Sequence, residues 1–152
     1  MPQLRLPAVL DNLARLISFV TECARKQGYP AAELHRMELA AEEVLVNICR
    51  YAYPGKKGDI EIRCNEREDA SVIEIIDNGI PFDCSNETCP DLNAELCDRK
   101  LGGLGIYLMH KMVDEVTYCR DGDRNILTLV YRTGRALEKA GKKTGGTTRE
   151  RN

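Results

Sequence analysis

Two short runs at residues 59–77 constrain the fold most. Asp59 to Asn65 alternates, with Ile60, Ile62 and Cys64 on one side, and Ser71 to Asp77 is dense in β-branched residues. A two-residue period of this kind specifies strands. The polar stretch Glu66-Arg67-Glu68-Asp69 between the runs predicts a hairpin. An isolated hairpin is marginal in water, so the rest of the chain has to supply a core for it.

Upstream the period changes to that of helices. Leu13, Leu16, Ile17, Val20 and Cys23 recur at three- and four-residue steps, which predicts an amphipathic helix over Asp11–Lys26 ended by Gly28. Pro30 suits the first turn of a second helix, predicted to run to about Tyr51 and to stop at Tyr53-Pro54-Gly55. Residues 2–6 read as a short edge strand. Downstream, 78–101 lacks a period, and a loop of that length in a compact domain is usually a lid or binding loop. Gly103 to Val113 reads as a helix entered through glycines. Val116–Arg120 and Asn125–Arg132 form a last hairpin around Asp121-Gly122-Asp123. These elements define one domain, residues 1–133, followed by a basic tail, 134–152, expected to be disordered.

Charge narrows the partners. From Arg132 onward there are seven Lys/Arg against two Asp/Glu, whereas residues 1–131 carry fifteen against twenty-two. An acidic body argues against direct nucleic-acid binding, which rests on neutralising phosphates. With no Trp and only two Phe, a stacking platform for single strands is not expected either. No apolar run approaches the roughly 20 residues of a membrane span, and the N-terminus lacks a signal-peptide pattern, so the expected location is the cytoplasm. The seven cysteines contain no C-x-x-C pair and are expected to be reduced. Cys23 and Cys49 read as small core residues, while Cys84, Cys89 and Cys97 crowd the long loop, where a metal or redox site is an alternative.

Three clusters carry chemistry. Glu43 and Asn47 are four residues apart in the second helix and share a face, so both can point at one ligand; an exposed polar stripe is the other reading. Asp77-Asn78-Gly79-Ile80-Pro81 places a carboxylate at the end of an apolar strand, able to accept a hydrogen bond from a buried amino group. Gly79 would admit a flat ligand, although a plain turn also accounts for the motif. Gly102-Gly103-Leu104-Gly105-Ile106 opens a helix, where free backbone amides and the helix dipole favour an anion. It is neither a dinucleotide fingerprint, since no strand precedes it, nor a Walker loop, since no Gly-Lys-Ser/Thr follows.

The ordered set E-x-x-x-N, D-x-G-x-P and G-G-x-G-I resembles the N, G1 and G2 boxes of the GHKL (Bergerat-fold) ATPases. More closely, LAAEEVLVNICRYAY, IDNGIPFD and GGLGIYLMHKMVDEVTY, with RLPAVLDNLARLISFV before them, look like the anti-sigma-factor serine/threonine kinases of the RsbW and SpoIIAB kind. The resemblance spans about residues 4–132. It implies an α/β (α+β) two-layer sandwich, with a mixed sheet bearing helices on one face and ATP or ADP held between helices and lid. By position it makes Glu43 the general base and Asn47 the Mg²⁺ ligand. Asp77 becomes the acceptor for the adenine amino group with Gly79 and Pro81 beside it, and Gly102, Gly103, Leu104, Gly105 and Ile106 the phosphate turn. Tyr51 stands where the family often has His, and Leu101 where some members have Arg. Arg99 and Lys100 are therefore the nearest cations for the γ-phosphate.

The implied function is phosphorylation of a serine or threonine on an anti-anti-sigma (STAS-domain) partner, together with binding of a sigma factor. Relatives are often dimers, and the first strand and helix could supply that interface. A histidine kinase would need a further helical hairpin with a phosphoacceptor His, and His35 and His110 are not so placed. The alternative is a nucleotide-gated regulator with little kinase activity, although such a protein has no need of Glu43.

Overall fold

The computed structural model describes residues 1–83 and 103–132. The strands are β1 (Gln3–Pro7), β2 (Asp59–Arg67), β3 (Ala70–Asp77), β4 (Glu115–Asp121) and β5 (Arg124–Arg132). The helices are α1 (Leu13–Lys26), α2 (Ala31–Asn47) and α3 (Gly103–Met112). A 3₁₀ turn at Leu10–Asn12 leads into α1, and one wider π turn, Ile48–Ala52, extends α2.

The strands form one sheet in the order β1-β2-β3-β5-β4. Where a mixed sheet was expected, every described pair is antiparallel. The reason lies in how the last hairpin docks. β3 and β4 run in the same direction, but β5 is inserted between them, so no parallel ladder forms. This places Asn125, at the start of β5, directly opposite Asp77, at the end of β3.

The pleat sorts the side chains. Ile60, Ile62 and Cys64 of β2, Ile73 and Ile75 of β3, and Leu127 and Leu129 of β5 lie on one face and join the core. Leu16 and Val20 of α1, Met37, Val44 and Leu45 of α2, and Ile106 and Met109 of α3 cover them. The helices therefore occupy a single face of the sheet. Cys23 belongs to this core and Cys49 packs against it as a half-buried residue.

Gly28 ends α1 in the left-handed region at φ 90°, as a glycine can without a Cβ clash. The amide of Gly28 then donates to Arg25 O and that of Tyr29 to Ala24 O, the two bonds of a Schellman cap. Pro30 stands one residue before α2, with extended ψ (160°), rather than inside its first turn. Its carbonyl accepts the Leu34 amide at 3.0 Å and so starts the helix. Tyr29 next turns into the core, where its hydroxyl donates to Tyr131 O at 2.8 Å and accepts from the Ser71 amide at 3.2 Å. That ties the α1–α2 connection to the far end of β3 and β5. Among the described residues no helix is long and apolar enough to cross a membrane. Cys84, Cys89, Cys97 and the 134–152 tail lie outside the described residues.

Candidate functional site

The site forms where the C-terminal end of α2 meets the C-terminal end of β3. These ends are locked by backbone. The Ile80 amide donates to Ala52 O at 2.9 Å, and Gly79 presses so closely on the π turn that a Cβ there would fall 2.3 Å from the Ala52 oxygen. Gly79 is therefore required by packing against this protein's own chain, whatever ligand it also meets. Tyr53 adds a second tie, donating to Asp59 O at 2.5 Å and accepting the Asn78 amide at 2.8 Å.

A cleft open to solvent runs between these ends and α3. Its walls are largely apolar, with Val44, Ile48, Phe82 and Ile106 among them, and its polar groups come from Asn47, Asp77 and Asn125. A mostly apolar cavity with a few fixed polar groups is the usual form of a small-molecule site. Asn47 is 9% exposed, and its buried Nδ2 has no hydrogen-bond partner among the described residues. A buried amide left unpaired costs of the order of 1–3 kcal/mol, a cost a bound ligand can relieve.

Asp77 is held from several sides. Its Oδ1 accepts the Gly79 amide at 2.8 Å and the Asn125 amide Nδ2 at 2.9 Å. Burial raises its pKa above the ordinary carboxylate value, against the opposing pull of these two bonds and the Arg120 guanidinium. Glu43 lies one turn before Asn47 on α2. Its carboxylate faces the first turn of α3, where a Cβ on Gly105 would fall 2.1 Å from Oε2. Burial, and then the charge of Glu42, raises the pKa of Glu43. An acidic group with a raised pKa is a better proton acceptor once ionised, as a general base requires.

Of the residues singled out from sequence, Asn47, Asp77 and Ile106 line one cleft, and Glu43 meets Gly105 beside it. Gly79 and Pro81 flank Ile80 at the mouth without lining it. Gly103 and Leu104 form the start of α3, while Arg99, Lys100 and Gly102 lie outside the described residues. Sequence reasoning missed Asn125, Tyr118 and Arg120. Tyr118 donates to Asn125 Oδ1 at 2.6 Å, and Arg120 donates to Asn125 Oδ1 at 3.0 Å and to Gly79 O at 2.8 Å. No spacing marks these residues, because they come together only through the β5 register. Tyr51, which stands where the family often has His, lines the cleft.

The donor set fits a magnesium nucleotide. Asn47 would ligate the cation through its Oδ1, one protein oxygen being adequate where phosphate oxygens and water supply the rest, while its buried Nδ2, which can only donate, suits a phosphate oxygen. Asp77 offers a fixed acceptor at the other end.

The chain is similar to known proteins over most of its length. The serine-protein kinase RsbW of Bacillus cereus is 27% identical over 143 residues, covering 91% of this chain and 89% of that protein. RsbW of Bacillus mycoides is 26% identical over the same shares. The Acinetobacter baumannii histidine kinase AdeS overlays with a TM-score of 0.48 at 14% identity, covering 88% of this chain and 70% of that one, too distant to carry an argument. Residues 6–131 match the family described as the histidine kinase-like ATPase domain, and the chain belongs to that family.

Proposed function

We propose that this protein is an ATP-binding anti-sigma factor and serine/threonine protein kinase acting on an anti-anti-sigma partner of the STAS-domain type. The observation that carries the reading is the arrangement on α2. Asn47 holds a buried Nδ2 with no partner among the described residues at the cleft, and Glu43, one turn away, sets its carboxylate against Gly105 at the start of α3. The serine-protein kinases among its relatives support the same reading.

In this mechanism Asp77 accepts a hydrogen bond from the adenine amino group, and the apolar walls, Ile106 among them, cover the base. Asn47 would hold Mg²⁺, which when bound neutralises phosphate charge. The amides of Gly103 and Gly105 face the phosphates, and Glu43 takes the proton of the attacking seryl or threonyl hydroxyl. The hydroxyl oxygen then bonds to the γ-phosphorus as the bond to the departing ADP oxygen breaks. Phosphoryl transfer depends mainly on positioning and charge, so this small set of groups is adequate. The protein works in the cytoplasm, alternately holding a sigma factor and its STAS-domain partner, and pairs as a homodimer through β1 and α1.

The test is incubation with Mg-ATP labelled at the γ-phosphate and candidate STAS-domain proteins, with Glu43→Gln as the control. Label on a partner serine or threonine that is lost in the variant supports the kinase. Nucleotide binding without any transfer by the wild type leaves a nucleotide-gated switch in its place.

A further inference from the structure

Asn125 makes more use of its side chain than any other polar residue at the cleft. Its Nδ2 donates to Asp77 Oδ1 at 2.9 Å and to Ile80 O at 2.8 Å, while its Oδ1 accepts from Tyr118 at 2.6 Å and from Arg120 at 3.0 Å. The amide orientation is determined by its partners. A carboxylate and a carbonyl can only accept and a guanidinium can only donate, so the flipped amide would lose the bonds to all three. With two donors and two lone pairs engaged, Asn125 has nothing left to offer a ligand directly.

The effect falls on Asp77. Its Oδ1 already receives two donors, from Asn125 and Gly79, and its Oδ2 makes no hydrogen bond among the described residues. Asp77 is 5% exposed and lines the cleft. We propose that Asn125 is a positioning residue that determines base specificity. By saturating Oδ1 it leaves Oδ2 as the one acceptor that Asp77 presents, so the site selects a purine with an amino group at position 6 over one with oxygen there. Arg120 supports Asn125 from behind and fixes the Gly79 carbonyl at 2.8 Å. This inference rests on the reading that the cleft takes an adenine nucleotide.

The experiment is calorimetric titration with ATP and with inosine triphosphate, which carries a 6-oxygen and an N1–H in place of the 6-amino group and N1 acceptor and keeps the ribose and phosphates. Wild type is expected to prefer ATP, because an acceptor placed for the 6-amino group faces the 6-oxygen of the inosine base and repels it. In Asn125→Leu, similar in size but without hydrogen bonds, the ratio of the two affinities should fall roughly ten- to a hundredfold, the range of a hydrogen bond to a charged group. A merely structural role would weaken both nucleotides together and leave the ratio unchanged, and that result overturns the proposal. Arg120→Met removes an exposed side chain and should lower the ratio by a smaller factor. If Asn125→Leu does not fold, the Arg120→Met ratio decides on the same terms. Wild type that binds both nucleotides equally defeats the specificity role alone, whereas wild type that binds neither defeats the ATP-binding reading as well.

Discussion

The carboxylate of Glu43 occupies the space that a side chain on Gly105 would need: a Cβ built there would stand 2.1 Å from Oε2. The two residues are 62 positions apart in sequence, and the packing of α3 against α2 brings them together. The glycine at the start of α3 is thus a seat for a carboxylate as well as a source of free amides.

Gly105→Ala should therefore separate activity from stability. The clashing atom is the end of a flexible side chain, which can swing away at little cost. Alanine is also favoured over glycine in a helix by up to about 1 kcal/mol. Thermal unfolding should stay within about 1 kcal/mol of wild type, while phosphoryl transfer falls by roughly a hundredfold or more as the base is displaced. Unchanged transfer would show that the position of Glu43 does not matter.

Gly79→Ala should do the reverse. Its Cβ would lie 2.3 Å from the Ala52 oxygen and 2.6 Å from the Ala52 Cβ, and neither belongs to a side chain that can rotate away. The turn after β3 would have to separate from α2, breaking the Ile80–Ala52 bond, at a cost of about 2–3 kcal/mol. Gly122→Ala provides the comparison, since it has open space and only a positive φ of 61° to strain, for about 1 kcal/mol. Urea midpoints at equal m-values would check the order.

Periodicity in the sequence was enough to locate α1, α2 and both hairpins, because Leu16, Val20, Ile60, Ile62, Leu127 and Leu129 meet the core at the spacing their elements require. It could not order the strands, since nothing local states that β5 rather than β4 pairs with β3. Asn125 and Tyr118 were invisible for the same reason: a polar residue on a strand acquires a partner only once the register is set. Gly79 was noticed, but the Ala52 carbonyl behind it is a tertiary contact. The π turn at Ile48–Ala52 keeps a helical pattern of side chains, so the sequence reads as one helix to Tyr51.

Glu43 predicts a pH dependence with a definite sign. Its pKa is raised in the folded state, by burial and then by Glu42, so folding favours its protonated form. That contribution to stability is present below the unfolded value of about 4.3 and is lost as pH rises through the higher folded value. At neutral pH the ionised group is a burden, so Glu43→Gln should melt no lower than wild type at pH 7. Any advantage of the variant should shrink on acidification towards pH 4. Transfer activity should rise with pH through a midpoint above 4.3. A variant that melts lower at pH 7 than wild type would contradict the desolvation account.

Asp77→Asn tests the recognition end most directly. Asparagine can keep Oδ1 where it is, accepting from Asn125 and the Gly79 amide, and replaces the other oxygen with an NH₂ group. An acceptor at the cleft becomes a donor with little change in shape. Asp77 has a pKa raised mainly by burial, opposed by Asn125, the Gly79 amide and Arg120, with the Tyr53 and Tyr118 hydroxyls close to the same network. Removing its charge should therefore not destabilise the free protein at neutral pH. Affinity for ATP should fall by roughly tenfold or more, because donor would face donor, while inosine triphosphate, with oxygen at position 6, gains relative to it. Paired titrations at pH 7 should show the preference narrowed or reversed, and an ATP preference equal to that of wild type would remove Asp77 from base recognition.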